Sequence, residues 1–130
     1  MYMSKEKYVL EYSFGHVSPE GLWTNISTPS GLSCWFADKV FLEDGILNFV
    51  WGKADAQKAT ILQHRSGFYI RYHWMDDESP KSYFELKLLC DELTMDVVLV
   101  VTDFCEVDEK ADAIELWNKQ IASLKKALGA

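Results

Sequence analysis

The chain has 130 residues, 48% of them apolar and 25% charged, with a net charge of -7. This length fits one domain, predicted over residues 1–130, and the acidic balance argues against nucleic-acid partners because phosphate backbones would be repelled. Five Trp, six Tyr and seven Phe exclude a disordered chain, and they raise the question of whether the rings fill a core or line a cavity.

The first part of the chain predicts a strand followed by two short helices. Residues 8–14 alternate, and this period of two predicts a strand whose one face carries Tyr8, Leu10, Tyr12 and Phe14. Ser18 followed by Pro19 is a helix start signal, because serine can cap the helix and proline suits its first position. Thr28 followed by Pro29 repeats the signal. The second helix should carry Leu32, Trp35 and Phe36.

From residue 40 onward the pattern predicts six strands. They occupy residues 40–42, 46–51, 58–64, 68–75, 83–89 and 95–105. Their connections are too short for parallel crossovers, so the strands are antiparallel. Three strands each place a row of apolar side chains on one face: Leu47, Phe49 and Trp51; Phe68, Ile70, Tyr72 and Trp74; Phe84, Leu86 and Leu88.

The last predicted element is an amphipathic helix over residues 108–128 that Asp108 can cap. Its apolar stripe consists of Ile114, Trp117, Ile121, Leu124 and Leu128. Such a helix must cover the apolar face of the sheet. The sequence therefore predicts an α+β fold in which a curved seven-stranded antiparallel sheet (β-α-α-β6-α) wraps around a long C-terminal helix.

Several short sequence patterns follow one another along the chain. They are Ser18-Pro19-Glu20 with Leu22-Trp23, Pro29 with Leu32 and Trp35-Phe36, Tyr72-His73-Trp74, Thr94 with Val97 and Leu99, and the stripe of the final helix. Together they resemble the START-like superfamily (helix-grip, Bet v 1-like), above all its branch similar to the C-terminal domain of the activator of Hsp90 ATPase. The resemblance covers about residues 8–128. It implies the helix-grip fold, often with an apolar cavity for lipids, sterols, polyketides or hormones.

The aromatic residues supply the candidate site. A cavity for an apolar ligand needs rings and aliphatic side chains with a few fixed polar groups, and Tyr72 could offer its hydroxyl. The candidate lining residues are Trp35, Phe49, Trp51, Phe68, Ile70, Tyr72, Trp74, Phe84, Leu86, Trp117 and Ile121. The alternative, that these side chains interdigitate into a solid core, stays open because native packing density is the default.

No catalytic or metal site is predicted. His73 alternates away from Tyr72 and Trp74 and should face outward, and no nucleophile signature surrounds the cysteines, which we expect to be free thiols: Cys34, Cys90 and Cys105. The acidic runs near residues 76–78 and 103–109 lack the spacing of a calcium loop and are interpreted as solvated charges. No zinc spacing or phosphate loop is present, so no cofactor is expected.

Three functions remain from the sequence. The first is binding of a hydrophobic small molecule or lipid between the sheet and the last helix. The second is a cochaperone-like module that binds a protein partner, as the resemblance implies. The third, ranked lowest, is an enzyme of the polyketide cyclase or dehydratase type, for which the predicted inward faces offer no clear acid or base. The lack of a signal segment or of a long apolar run predicts a cytoplasmic protein with no integral membrane association.

Overall fold

The seven strands form one antiparallel sheet in the order β1-β7-β6-β5-β4-β3-β2. A computed structural model describes residues 5–77 and 81–129. The strands are β1 (Glu6–Gly15), β2 (Lys39–Glu43), β3 (Ile46–Trp51), β4 (Asp55–Arg65), β5 (Tyr69–Trp74), β6 (Phe84–Cys90) and β7 (Val97–Cys105). All neighbours except β1 and β7 are consecutive in sequence, as expected for hairpins.

Three α-helices complete the fold. They are α1 (Pro19–Ser27), α2 (Pro29–Leu32) and α3 (Lys110–Ala127), and a 3-10 turn (Val107–Glu109) precedes the last. The order of elements is the predicted one, and the α+β helix-grip fold is confirmed. No helix within the described residues is both long and apolar enough to cross a membrane.

The start signals of both short helices are confirmed. The Ser18 hydroxyl accepts a hydrogen bond from the Gly21 N–H at 3.1 Å, and the Thr28 hydroxyl accepts one from the Gly31 N–H at 3.0 Å. A Cβ atom on Gly31 would lie 2.2 Å from the carbonyl oxygen of Thr24, so this position needs glycine. The close approach folds α2 back against α1.

The tight turn between β2 and β3 also follows from the sequence. Asp44 and Gly45 both have positive φ, 53° and 77°. Two successive residues in this region form the type I′ turn, whose twist matches that of the flanking strands. The turn fixes the register that pairs Leu42 with Leu47.

Three details of the predicted elements are wrong. The second helix ends at Leu32, so Trp35 and Phe36 lie in the turns that follow it. The last α-helix begins at Lys110, because a 3-10 turn occupies the predicted cap and Asp108 makes no capping bond. The predicted bounds of β3 match the observed ones, and those of the other strands differ by at most three residues. Residues 78–80 of the predicted loop after β5, which include Glu78 and Pro80, lie outside the described residues.

The third detail concerns Phe68, which the alternation placed on the inward face of β5. Its backbone N–H donates to the carbonyl of Arg65 at 2.9 Å, so Phe68 belongs to the turn between β4 and β5, and alternation does not extend through it. Its side chain is 36% exposed. The ring lies between cations, 5.7 Å from the Arg65 guanidinium carbon and 5.8 Å from the Lys87 ammonium, and it is removed from the proposed cavity lining.

The core lies between the concave face of the sheet and the helices. Three residues of the α3 stripe, Trp117, Ile121 and Leu124, are buried, while Ile114 and Leu128 pack at its margins. The inward rows of β3, β5 and β6 are confirmed apart from Phe68: the buried members are Leu47, Phe49, Ile70, Tyr72, Phe84, Leu86 and Leu88. The α1 residues Leu22 and Ile26 close one end of this core.

Candidate ligand-binding groove

A groove of about 570 Å³ lies between the middle of α3 and the strands β3, β4, β5, β6 and β7. It is open to solvent on one side. Five aromatic rings form its wall, namely Phe36, Trp51, Trp74, Phe84 and Trp117. Its other lining residues are Asp55, Ala56, Gln57, Asp103, Leu116 and Gln120. We call this space the groove.

The rings of the wall pack against one another around Phe36. The Phe36 ring centroid lies 5.6 Å from that of Phe84, 5.9 Å from that of Trp117 and 6.2 Å from that of Trp74. Trp51 and Trp74 are 6.1 Å apart. These separations are those of favourable stacked and edge contacts, so the wall is preformed.

The reachable part of the wall consists of indole rings. Phe84 is 1% exposed, whereas Trp51 and Trp74 are partly exposed. The Trp51 indole N–H donates to the carbonyl of Phe36 at 2.8 Å, which fixes that ring to the turn after α2. Among the described residues the Trp74 indole N–H has no hydrogen-bond partner.

The main polar group of the wall is Asp103 on β7. Its Oδ2 accepts hydrogen bonds from the Trp117 indole N–H at 2.9 Å and from the Tyr8 hydroxyl at 3.2 Å, and its Oδ1 accepts one from the Phe104 N–H at 2.8 Å. Burial raises the pKa of Asp103 even though these three bonds oppose the rise. Burial, together with the charge of the same carboxylate, raises the pKa of Tyr8.

Sequence reasoning placed Asp103 among solvated charges and missed its position in the wall. The signal was present in the alternation of β7. Val97, Leu99 and Val101 are all fully buried, and Asp103 continues the same face by two residues. A polar residue at the end of a buried row faces the same space as the row itself.

The structure brings four of the predicted site residues together in the groove: Trp51, Trp74, Phe84 and Trp117. Five others, Phe49, Ile70, Tyr72, Leu86 and Ile121, are buried in the core and are absent from the groove lining. Trp35 packs edge-on against Phe36 at 5.3 Å, and its indole N–H donates to the carbonyl of Asn25 at 2.7 Å. Trp35 thus contacts the wall through Phe36 without lining the groove, and Phe68 lies elsewhere.

The Tyr72 hydroxyl is not available to a ligand, contrary to the expectation. It donates to the carbonyl of Ile26 at 2.7 Å in a fully buried position. Burial raises the pKa of this phenol, which keeps it protonated as a donor. Tyr72 therefore joins the sheet to α1.

The histidines and cysteines lie outside the groove lining. His73 Nδ1 is 2.9 Å from the carbonyl oxygen of Ser82, and His16 pairs with Asp96 at 3.1 Å. All three cysteines are free, with Cys105 buried and Cys34 and Cys90 exposed. Over residues 5–77 and 81–129 there is no group of three or more His, Cys, Asp or Glu arranged to hold a metal ion.

The sequence profile of the START-like superfamily domain matches residues 2–130 of this chain, nearly its whole length. The chain belongs to the START-like superfamily. The groove of this START-like domain lies where the helix-grip fold leaves space between its sheet and its C-terminal helix. No curated protein matches the chain in sequence.

Solved structures similar to this START-like domain include a Bacteroides fragilis protein determined by solution NMR. It is 48% identical, with a TM-score of 0.69, and the match covers 95% of this chain and 91% of that one. An Aha1 dimer from Colwellia psychrerythraea is 16% identical, with a TM-score of 0.72 and coverages of 97% and 96%. A protein from Mesorhizobium loti is 17% identical, with a TM-score of 0.75 and coverages of 95% and 97%. At such identities the last two share the fold.

Proposed function

We propose that residues 1–130 act as a single START-like domain that binds a hydrophobic small molecule in the groove. The observation that carries this proposal is the preformed wall of packed rings around about 570 Å³ of accessible space. Small-molecule sites are concave, mostly apolar and commonly about 300–1,000 Å³ in volume. Binding, and not catalysis, is the function that these residues support best.

The wall favours ligand binding because its rings are held in fixed positions while part of their surface remains exposed to solvent. Trp51 and Trp74 keep indole surface partly exposed in a molecule whose remaining core is tightly packed. Burying apolar surface contributes about 25 cal/mol per Å² to the free energy of binding. Since the rings already hold one another in place, a ligand would gain this free energy with little ordering cost.

The shape of the groove favours a compact ligand over a long acyl chain. The space ends at Phe84 and Trp117, and behind them Ile121 and Leu86 are buried in close-packed core. A ligand therefore enters beside Leu116 and cannot extend along the whole helix. A fused-ring compound of the size of a small polyketide or sterol fragment fits these limits.

The proposal is tested with 2-naphthalenemethanol, a neutral fused-ring probe, by isothermal titration calorimetry and by NMR of the five indole N–H signals. We expect saturable binding that shifts the signals of Trp51, Trp74 and Trp117. The signals of Trp23 and Trp35 should move little, because neither residue lines the groove.

A matched pair of variants on β4 locates the site. Gln57 lines the groove and pairs with the buried Phe49, so Gln57→Trp should fill the space and abolish binding. Gln63 pairs with Arg71 on the outer face of the sheet, so Gln63→Trp should bind normally. Lack of binding to the unmodified protein, or equal binding by both variants, would overturn the proposed function.

A further inference from the structure

The ionisable side chains that line the groove are all acidic. Among the described residues that line it, the ionisable ones are Asp55 and Asp103, and there is no Lys, Arg or His. Asp55 is exposed at the rim, whereas Asp103 is partly buried within the wall. The groove is therefore negative at a place where the protein has excluded much of the water that would screen it.

Within residues 5–77 and 81–129, Asp103 has hydrogen-bond donors but no ion-pair partner. Its three donors are neutral groups of Tyr8, Phe104 and Trp117. Lys5 acts on Asp103 through its charge, but its ammonium is held at 2.8 Å by the carboxylate of Asp77. A partly buried carboxylate without a bound counter-ion is a strong attractor for a cation that enters the groove.

The aromatic wall attracts the same sign of charge. The faces of indole rings carry negative electrostatic potential and bind ammonium groups, most strongly where water is excluded, and tryptophan is the best ring for this. Trp74 lines the groove together with Asp103, and Trp51 is next to Trp74 in the wall. Ring faces and a carboxylate therefore border one small space.

From these observations we infer that the groove selects an organic cation, an amine or quaternary ammonium group on an apolar body, whose charge is bound against Trp74 and Asp103. This inference rests on the proposed function and specifies its ligand class. The amides of Gln57 and Gln120 offer donors and acceptors to neutral parts of the ligand. A carboxylate ligand such as a fatty acid is disfavoured, because no described lining residue carries a positive charge.

Three probes with one ring system and different charges test the inference: (2-naphthylmethyl)trimethylammonium, 2-naphthalenemethanol and 2-naphthoate. We expect the cation to bind about tenfold more tightly than the neutral probe, and the anion to bind most weakly. Added NaCl should weaken binding of the cation and leave that of the neutral probe nearly unchanged.

Asp103→Asn removes the charge and keeps the shape of the side chain. It should reduce the preference for the cation over the neutral probe by about tenfold, while the affinity for the neutral probe stays within about twofold. Asp44→Asn is the matched control, because Asp44 lies in the exposed β2–β3 turn, where its left-handed conformation suits asparagine. This control should keep the preference.

The outcomes separate the two proposals. If the neutral probe binds in the groove and the cation binds no more tightly, the proposed function stands and the inference is wrong. If none of the three probes binds, both are wrong. Should Asp103→Asn fail to fold, Trp74→Leu replaces it, and loss of the cation preference in that variant is the expected result. A preference retained at high salt and in Trp74→Leu would also overturn the inference.

Discussion

The two halves of α3 cover the same face of the sheet but meet it differently. Toward its C-terminal end, Leu124 is fully buried, and Leu128 reaches α1, where a Cβ atom on Gly21 would lie 4.0 Å from its Cδ2. Toward its N-terminal end, Leu116 is 57% exposed beside the groove. We refer to these as the closed end and the open end.

The difference shows that an additional covering element, and not the sheet, decides whether space remains between α3 and the sheet. At the closed end α1 adds a further layer, and Tyr72 joins it to the sheet through the carbonyl of Ile26. At the open end the turn after α2 contributes Phe36, whose carbonyl accepts from Gln120 at 3.3 Å, and no described helix other than α3 covers the rings. Aromatic rings are thus part of the buried core at the closed end, and they line the groove at the open end.

The largest expected effect comes from one substitution made at both ends of α3. Leu124→Ala should lower the free energy of unfolding by about 2–5 kcal/mol, because it leaves a cavity in close-packed core. Leu116→Ala should change it by less than about 0.5 kcal/mol, because the side chain is largely exposed. Urea unfolding measures both. Equal losses would contradict the distinction between closed and open ends.

The next effect tests the bond that closes the core. Tyr72→Phe removes the donor to the carbonyl of Ile26 and leaves that oxygen buried and unpaired, so we expect a loss of about 1–3 kcal/mol. Tyr12→Phe is the control, because the Tyr12 hydroxyl bonds Asn118 at 2.7 Å in an exposed position, where water can replace it. Thermal unfolding of both variants measures the two losses of stability. A larger loss in Tyr12→Phe than in Tyr72→Phe would contradict the prediction.

A smaller effect is expected at the start of α1, the helix that makes the closed end. Ser18→Ala removes the acceptor of the Gly21 N–H and should cost about 1 kcal/mol. Ser18→Asp keeps an acceptor at the same place and should retain most of the stability. If the alanine and aspartate variants unfold at the same urea concentration, the cap does not stabilise α1.

The smallest effect concerns pH and the open end. Burial raises the pKa of Asp103 above its ordinary value of 3.8, so the folded state holds this proton more tightly than the unfolded state. The contribution of Asp103 to stability is therefore full below pH 3.8 and is lost as pH rises through the folded pKa. The stability of the wild type minus that of Asp103→Asn should therefore fall as the pH rises above 3.8 and through the raised folded-state pKa. A difference that rises with pH would contradict the stated direction.

The fold could be predicted from the sequence because its signals are local and repeated. The alternation of β1, β3 and β6, the caps at Ser18 and Thr28, and the stripe of α3 each specify an element, and their order limits how the helices can cover the sheet. The first residues of β5 and α3 differ from their predicted positions. Phe68 fits the alternation of β5 but belongs to the turn that its N–H closes on the Arg65 carbonyl. Asp108 lies in a 3-10 turn that has no separate sequence signature.

The site could be predicted only in part, because membership of the wall depends on what covers each ring. Trp74 and Tyr72 share one face of β5, yet Tyr72 lies under α1 and Trp74 borders the groove. Phe36 was predicted on a helix and was not among the candidate lining residues, although it is central to the wall. These distinctions arise from tertiary contacts, which periodicity along one strand does not contain.

The pairing of β1 with β7 has a consequence for how the protein is made. The Tyr8 hydroxyl and the Asp103 carboxylate that it contacts are 95 positions apart in the chain. On the ribosome, β1 must wait until the strands β2 to β6 have been synthesised before its partner β7 emerges. Contacts of such high sequence separation form slowly, so the hairpins from β2 to β6 can assemble first, and the carboxylate of the groove acquires its final environment in the last step of folding.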